Sequence, residues 1–255
     1  MTTIASPSRQ IAEVRWQSVP RMLALYLVPG ILITVVFAII AALTAEHQVP
    51  ASLALLFTWL VAGVPTLLGI LLYQGWKQNG RPSLAGIVRN REPLPFRQYL
   101  WLVPALLIWA AISSTLAVPF AQAWQRTFFG WWPDWLVLSS FAQNLNQYSQ
   151  PVLWATVVLS FVLNIAVPIV EELYFRGFLL PQMAHWGKWA PLINVVLFSL
   201  YHFWLPWENP TRIITLLPIV YAVQWKHNIY ISILVHCLLN TIGSVGLLVL
   251  VLTQM

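Results

Sequence analysis

Charged side chains are scarce in this sequence. Asp, Glu, Lys and Arg together make up only 8% of its 255 residues, while hydrophobic residues make up 59%. A soluble domain carries about 25% charged residues, so this chain has too few charges to cover a globule with polar surface. The shortage excludes an ordinary soluble fold and favours a protein embedded in a membrane.

Cysteine and aspartate are each present once, and both shortages limit the chemistry. Cys237 is the only cysteine, which excludes an internal disulfide. Asp134 is the only aspartate, which excludes a catalytic pair of aspartates. The sequence also lacks an H-E-x-x-H segment, the helical arrangement that presents two histidines to zinc. The net charge of +6 does not indicate a nucleic-acid partner, because the basic residues cluster at the ends of apolar runs.

Long apolar runs are what the sequence has in abundance. Runs of about 20 residues, long enough to cross a bilayer as helices, lie at 22–45, 51–73, 99–121, 152–170 and 229–252. Two shorter runs, 189–205 and 213–225, are weaker candidates. We therefore predict an all-α fold, a polytopic membrane helix bundle with about seven transmembrane helices.

The basic residues predict the orientation of this bundle. Arg9, Arg15 and Arg21 precede the first run, and the loop before the third run holds Lys77, Arg81, Arg89, Arg91 and Arg97. Both segments are therefore expected in the cytoplasm. Seven crossings then put the amino terminus inside and the carboxyl terminus outside, whereas a re-entrant 213–225 would reverse the last span. Short loops and the lack of organelle signals favour a bacterial plasma (inner) membrane.

The runs suggest three regions. Residues 1–98 form a two-span region with a cytoplasmic loop, and 99–150 hold the third span with a tryptophan-rich segment at the outer interface. Residues 151–255 form a four-span core. Only the charged loop 74–98 is a plausible linker.

Among the polar residues in or directly beside the predicted spans of this core, we take five as candidates for a functional site: Glu171, Glu172, His202, His236 and Asn240. At 1.5 Å per helical residue, Glu171 lies about 15 Å from the inner surface, His202 about 18–20 Å, and His236 and Asn240 about 10 and 16 Å. Polar groups from three helices thus reach similar depths. Because ionisable residues inside a membrane usually mark a functional site, we predict an intramembrane polar cavity.

Helical spacing separates the two glutamates. Residues four apart share a helix face, which pairs Glu172 with Arg176 and leaves Glu171 without a cation on its own helix. An unpaired carboxylate suits a general base. Simpler interpretations stay open, because Glu172 and Arg176 can be a purely structural pair and the two histidines can be hydrogen-bonding partners between helices.

Three short motifs follow one another in this region. E-E-x-x-x-R begins at Glu171, F-x-x-x-H joins Phe198 to His202, and H-x-x-x-N joins His236 to Asn240. In this order, on successive predicted helices, they resemble the CPBP family of CAAX proteases and bacteriocin-processing enzymes, which includes the type II CAAX prenyl endopeptidases. The resemblance covers about residues 150–250, and the first three spans carry no part of it.

The resemblance implies an intramembrane endopeptidase whose site opens to the cytoplasm through a conical cavity. Glu171 would activate water with help from His202, and His236 and Asn240 would stabilise the oxyanion. Glu172 and Arg176 would support this site.

Phe198 would shape the same site, although its type alone favours core packing. The implied partners are the lipid bilayer and a peptide or protein substrate at the membrane, prenylated if the source is eukaryotic. No cofactor is expected. The alternative is a zinc site with Glu171, His202 and His236 as ligands, since His₂Glu is a known catalytic set.

Two other function classes remain. Relatives linked to bacteriocin immunity suggest a protein that binds without cleaving, although the complete set of motif residues favours catalysis. A cation or proton carrier would also use buried carboxylates, but no second acidic helix accompanies Glu171.

Overall fold

The computed structural model describes residues 18–254, and all secondary structure of that range is helical apart from one isolated bridge between Arg91 and Asn228. Arg9 and Arg15, used above to orient the chain, lie outside it. The main helices are α1 (Val19–Thr44), α2 (Ala51–Thr58), α3 (Val64–Asn79), α4 (Phe96–Phe129), α5 (Ser140–Gln143), α6 (Gln150–Glu172), α7 (Leu180–Gln182), α8 (Ala190–Tyr201), α9 (Asn209–Lys226) and α10 (Tyr230–Thr253). A π-helical turn, Trp59–Gly63, joins α2 to α3, and another, Leu173–Leu179, joins α6 to α7.

Several helix boundaries follow from local sequence. Pro151, Pro191 and Pro210 sit in the first turns of α6, α8 and α9, where a missing N–H costs nothing. Gly80 ends α3 with a left-handed φ of 70°, a conformation that glycine adopts without strain. These residues start and stop the helices near the edges of the apolar runs.

Five helical stretches in the described range are long and apolar enough to cross a membrane: Val19–His47, Ala51–Asn79, Phe96–Phe129, Gln150–Gln182 and Tyr230–Thr253. They match the five long apolar runs, so the predicted all-α polytopic bundle is confirmed. The two weaker candidates are helical but do not meet this criterion. Twelve residues give α8 a length of about 18 Å, well short of the ~30 Å hydrocarbon core, and α9 carries Arg212 and Lys226.

α8 and α9 form an antiparallel hairpin. The Tyr221 hydroxyl donates to the Lys188 carbonyl at 2.8 Å, and the Gln224 amide donates to the Gly187 carbonyl at 3.0 Å. The last turns of α9 therefore lie beside the start of α8. A hairpin returns to the side it left, so an odd number of crossings remains whether it spans the bilayer or turns back within it. Whether 213–225 spans the membrane or re-enters it stays a prediction.

Three connections meet at one end of the bundle, which we call the basic end: 80–95, 183–189 and 227–229. Lys77, Arg81, Arg89, Arg91, Lys188 and Lys226 lie in or beside these connections. The Arg89 N–H donates to the Gly177 carbonyl at 2.8 Å, and the Ile229 N–H donates to the Asn90 carbonyl at 2.7 Å. The loop predicted as a linker is thus docked on Gly177, in the π-helical turn that follows α6, and on Ile229, at the start of α10. The positive-inside rule predicts that this end faces the cytoplasm.

The opposite end carries the tryptophan-rich segment, and we call it the tryptophan end. Trp207, in the tip of the hairpin, contacts Phe129 and Trp132 with ring centroids 5.9 and 5.8 Å apart. Phe141, Leu153 and Val251 belong to one small buried cluster there, so the start of α6 meets the last turn of α10.

One larger hydrophobic core includes residues of every long helix, from Met22 on α1 to Val235 on α10. At its centre α1 touches α8 backbone to backbone, because a Cβ added at Gly30 would lie 2.0 Å from the Tyr201 carbonyl oxygen. The buried Asn194 amide donates to the Tyr26 hydroxyl at 2.6 Å and to the Phe175 carbonyl at 2.9 Å. These contacts hold α8 against α1 and against the turn that follows α6. The division into three regions stays a prediction.

The docking of the 80–95 loop predicts a stability effect at Asn228. Its fully buried amide donates to the Glu92 carbonyl at 2.6 Å and the Tyr99 hydroxyl at 2.9 Å, and its oxygen accepts from the Ile231 N–H. Asn228→Ala leaves these groups unpaired, at about 1–3 kcal/mol for a buried group. We expect a lower melting temperature in detergent. Asn79→Ala, at an exposed position, is the matched control; equal melting of the two variants would contradict the assignment.

Candidate functional site

Two adjacent carboxylates end α6 deep in the bundle. Glu171 and Glu172 are each only 2% exposed. A charge at such a depth is tolerated only when partners compensate it. The site is therefore defined by which groups approach each carboxylate.

Glu172 is the more fully partnered of the two. Its Oε1 lies 3.3 Å from Nη1 of Arg176 and 2.9 Å from Nδ1 of His236. The Arg176 guanidinium also stacks over the Phe198 ring, with its central carbon 3.9 Å from the ring centroid. The i,i+4 pair predicted from spacing is present, and Glu172 additionally ties α6 to α10 through His236.

His202 follows the last residue of α8, beyond the end of the regular helix. Its Nδ1 lies 2.8 Å from the Phe198 carbonyl oxygen. Because a carbonyl only accepts, Nδ1 carries a hydrogen, and in the neutral ring Nε2 is then an acceptor. Nε2 lies 3.7 Å from Oε1 of Glu171.

His236 approaches the same carboxylate from α10. Its Nε2 lies 4.0 Å from Oε2 of Glu171, so the two imidazoles present Nε2 to the two oxygens of one carboxylate. Both separations exceed a direct hydrogen bond. Glu171 Oε1 is among the buried polar atoms of the described residues without a hydrogen-bond partner, which leaves it free to accept from a bound molecule.

Asn240 lies one turn beyond His236 on α10. Its backbone carbonyl accepts from the Asn164 amide at 3.3 Å, and the same amide donates to the Ser244 hydroxyl at 2.7 Å. The contact holds α6 against α10 at the level of Asn240.

A cavity of ≈ 230 Å³ connects these residues. Glu171, His202, His236 and Asn240 all line it, together with Arg212 of α9 and Trp204 of the hairpin tip. The structure thus brings the four predicted catalytic residues around one space. Glu172, Arg176 and Phe198 do not line it; they pack behind Glu171 and the histidines.

Sequence reasoning missed several residues of this cavity wall. Arg212 precedes the weak apolar run 213–225, so its charge indicated only the edge of a helix. Asn164 sits in the fourth predicted span, where its polarity alone was a usable signal. Trp59 and Trp204, whose rings meet at 5.8 Å, looked like any other tryptophans of this chain.

The zinc alternative can be tested against this geometry. Across residues 18–254, no group of three or more His, Cys, Asp or Glu side chains is arranged to hold a metal ion. Bonds of 2.0–2.1 Å to a tetrahedral zinc bring neighbouring ligand atoms to about 3.3 Å. The 3.7 and 4.0 Å between Glu171 and the two Nε2 atoms are longer, so these residues as placed do not fit the ion.

Comparison with known proteins points to the same region. Residues 153–242 match the family model "Type II CAAX prenyl endopeptidase Rce1-like". The UPF0177 protein YxdF of Lactococcus lactis subsp. lactis (strain IL1403) is 32% identical over 84 residues, which is 33% of this chain and 47% of that relative. The chain thus spans about half the length of this curated relative, and no solved structure matches it. Residues 153–242, which contain all three motifs, are similar to the type II CAAX prenyl endopeptidase Rce1-like family, and this confirms the resemblance that the motifs predicted.

Proposed function

We propose that this protein is an intramembrane endopeptidase in which Glu171 activates a water molecule. The observation that carries the proposal is the pair of imidazole Nε2 atoms facing the two oxygens of one buried carboxylate, in a cavity that Asn240 also lines. The similarity to a family of prenyl endopeptidases over 153–242 supports the same chemistry.

The water is proposed to bind between Glu171 and His202. A polar separation of 3.7 Å is bridged well by one water molecule, and Glu171 Oε1 has its acceptor capacity free. Glu171 takes a proton from this water while the water oxygen forms a bond to the scissile carbonyl carbon. The proton then passes to the amide nitrogen while the C–N bond breaks, giving a carboxyl product and an amine product.

His202 acts as the second acceptor for the water. The Phe198 carbonyl holds its Nδ1–H, so the ring cannot rotate away without losing a 2.8 Å hydrogen bond. Nε2 therefore keeps its lone pair directed at the space beside Glu171. This orientation aligns the attacking oxygen and assists proton transfer.

Asn240 and His236 are proposed to stabilise the oxyanion of the tetrahedral intermediate. The Asn240 amide donates directly. Nδ1 of His236 already donates to Glu172, so its Nε2 can donate only when both ring nitrogens carry a hydrogen. Arg176 pairs with Glu172 and stacks on Phe198, so Arg176 and Phe198 act indirectly. They hold Glu172 in place, and Glu172 positions His236.

The proposed substrate is a peptide bond in a polypeptide bound at the membrane, here the plasma membrane of a bacterium. The family's printed description names prenyl endopeptidases, which makes a prenylated CAAX peptide one probe to try. Unmodified membrane-proximal peptides are the other.

Replacing the proposed base tests the mechanism. Glu171→Gln keeps the shape of the side chain but cannot accept the proton, so we expect cleavage to fall by at least about 100-fold with little change in melting temperature. Cleavage is measured by mass spectrometry with purified protein and the peptides above. Glu46→Gln, at an exposed acidic position, is the matched control. Undiminished cleavage by Glu171→Gln would remove the mechanism.

Replacing the proposed oxyanion donor gives a milder, kinetic effect. In Asn240→Ala the backbone contact with Asn164 survives, so we expect kcat to fall by about 100- to 1000-fold while the melting temperature stays. Asn164→Ala, which breaks the contact between α6 and α10, is the comparison. If Asn240→Ala instead destabilised the protein as Asn164→Ala does, its role would be structural.

Removing metal ions from the purified protein distinguishes a mechanism in which Glu171 activates the water from one in which zinc does. We expect full activity after dialysis against EDTA or 1,10-phenanthroline, because the three potential ligands are spaced more widely than zinc requires. Loss of cleavage that added zinc restores would contradict the glutamate mechanism.

A further inference from the structure

The cavity around Glu171 has a positively charged group in its wall that the mechanism above does not use. This group is the guanidinium of Arg212, which lines the cavity together with Glu171 and Asn240. We propose that Arg212 binds a carboxylate of the substrate, so that the protein selects polypeptides with an acidic group close to the scissile bond. This inference rests on the endopeptidase function proposed above and adds a specificity-determining residue to the same site.

Arg212 reaches the cavity from the first turn of α9. Its Nη1 donates to Oδ1 of Asn209, three residues earlier on the same helix, at 2.9 Å. This bond uses one of the five N–H donors of a guanidinium. The side chain is partly buried, and Trp59 and Trp204, which are 7% and 2% exposed, line the same space. The guanidinium is therefore anchored beside apolar walls, where a charge is poorly solvated.

The charge of Arg212 has no acidic partner within the part of the chain that the structure describes. Glu172 is paired with Arg176, and Glu171 faces the two imidazoles. Glu208 precedes Arg212 by four residues, a spacing that allows an ion pair on a helix, but their charged groups do not come within ion-pairing distance. The arginine is thus available to an anion that enters the cavity.

Arg176 shows how a structural arginine is held in this bundle. It is 1% exposed, lies 3.3 Å from a Glu172 oxygen and stacks on the Phe198 ring. Among the described residues, Arg212 has neither an acidic partner nor an aromatic ring beneath its guanidinium, and it lines an open space. The difference assigns Arg212 to ligand binding rather than to packing.

A carboxylate is the substrate group that fits such an arginine. The planar guanidinium donates two parallel hydrogen bonds to a carboxylate, and these charge-assisted bonds are about twice as strong as neutral ones. Of the described residues that line the cavity, Arg212 alone is a lysine or an arginine. A neutral peptide displaces water from the guanidinium without replacing all of its hydrogen bonds, and this lowers its affinity.

The small size of the cavity sets where the carboxylate lies along the substrate. Its volume of ≈ 230 Å³ is below the roughly 300–1,000 Å³ of typical small-molecule sites. Glu171 and Arg212 line this one space, so a peptide whose scissile bond lies at Glu171 brings only its nearest residues to Arg212. A carboxylate at that place comes either from the end of the chain or from an aspartate or glutamate side chain.

Peptide binding to inactive protein tests the proposal. The prenylated CAAX peptide and an unmodified membrane-proximal peptide are each made in three forms: with a free carboxyl terminus, with a carboxamide, and with a glutamate before the carboxamide. The dissociation constant is measured by fluorescence anisotropy in detergent with Glu171→Gln protein, to which Arg212→Gln or Arg212→Lys is added. Arg126→Gln, at an exposed position outside the cavity, is the matched control.

We expect Arg212→Gln to weaken binding of a carboxylate-bearing form by about 10- to 100-fold and to leave the plain carboxamide form unchanged. Arg212→Lys keeps the charge but loses the two-pronged geometry, so it restores part of the difference. Arg126→Gln leaves binding of all forms unchanged. Preference for the free carboxyl terminus identifies the chain end as the source of the carboxylate, and preference for the glutamate form identifies a side chain.

Equal binding of all three forms by protein that retains Arg212 would overturn the proposal, and this comparison needs no arginine variant to fold. Equal weakening of all forms by Arg212→Gln would also overturn it, as would the absence of binding by every form.

Kinetics with Glu171 intact separate substrate binding from catalysis. We expect Arg212→Gln to raise KM for the carboxylate-bearing form with little change in kcat. A fall in kcat shared by all forms would make Arg212 an oxyanion donor and would overturn the proposal. Because the binding measurement needs no turnover, the endopeptidase function and the role of Arg212 fail independently of each other.

Discussion

Glu172 forms an ion pair with Arg176 and accepts a hydrogen bond from His236 inside a bundle of hydrophobic helices. The rest of the site depends on this shared carboxylate. Removing one partner from a buried charge pair costs about 3–5 kcal/mol, so the cluster holds α6 and α10 at one register. With Arg176 committed to Glu172 and stacked on Phe198, no arginine approaches Glu171 closely enough to form an ion pair within the described residues, and its carboxylate faces two imidazoles instead.

The hairpin and the docked loop complete the arrangement. α8 is too short to span the bilayer, and it ends inside the bundle at His202, where the backbone leaves the helix and the ring lies beside Glu171. The 80–95 loop covers the other side of the cluster through Asn90 and Arg89. The site is thus assembled from two full-length helices that pack on each other, α6 and α10, and from His202 at the end of the shorter α8.

Local periodicity made part of this site predictable. The spacing of Glu172 to Arg176 and of His236 to Asn240 follows from 3.6 residues per turn, and the five long apolar runs follow from composition. Contacts between distant segments, such as Glu172 with His236, carry no local signal. Depth counting predicted that the polar groups of three helices lie at similar levels, but it could not predict which other residues line the space between them. Arg212 is one of these, and its place in the cavity wall is set only by the tertiary fold.

The most direct measurement of the central claim is an experimental structure of Glu171→Gln protein with an uncleaved peptide bound. The account predicts the scissile carbonyl carbon about 3–3.5 Å from a water held between the side chain at position 171 and His202, with the carbonyl oxygen towards Asn240. A peptide bound outside the ≈ 230 Å³ cavity, or one whose carbonyl points away from Asn240 and His236, would contradict it.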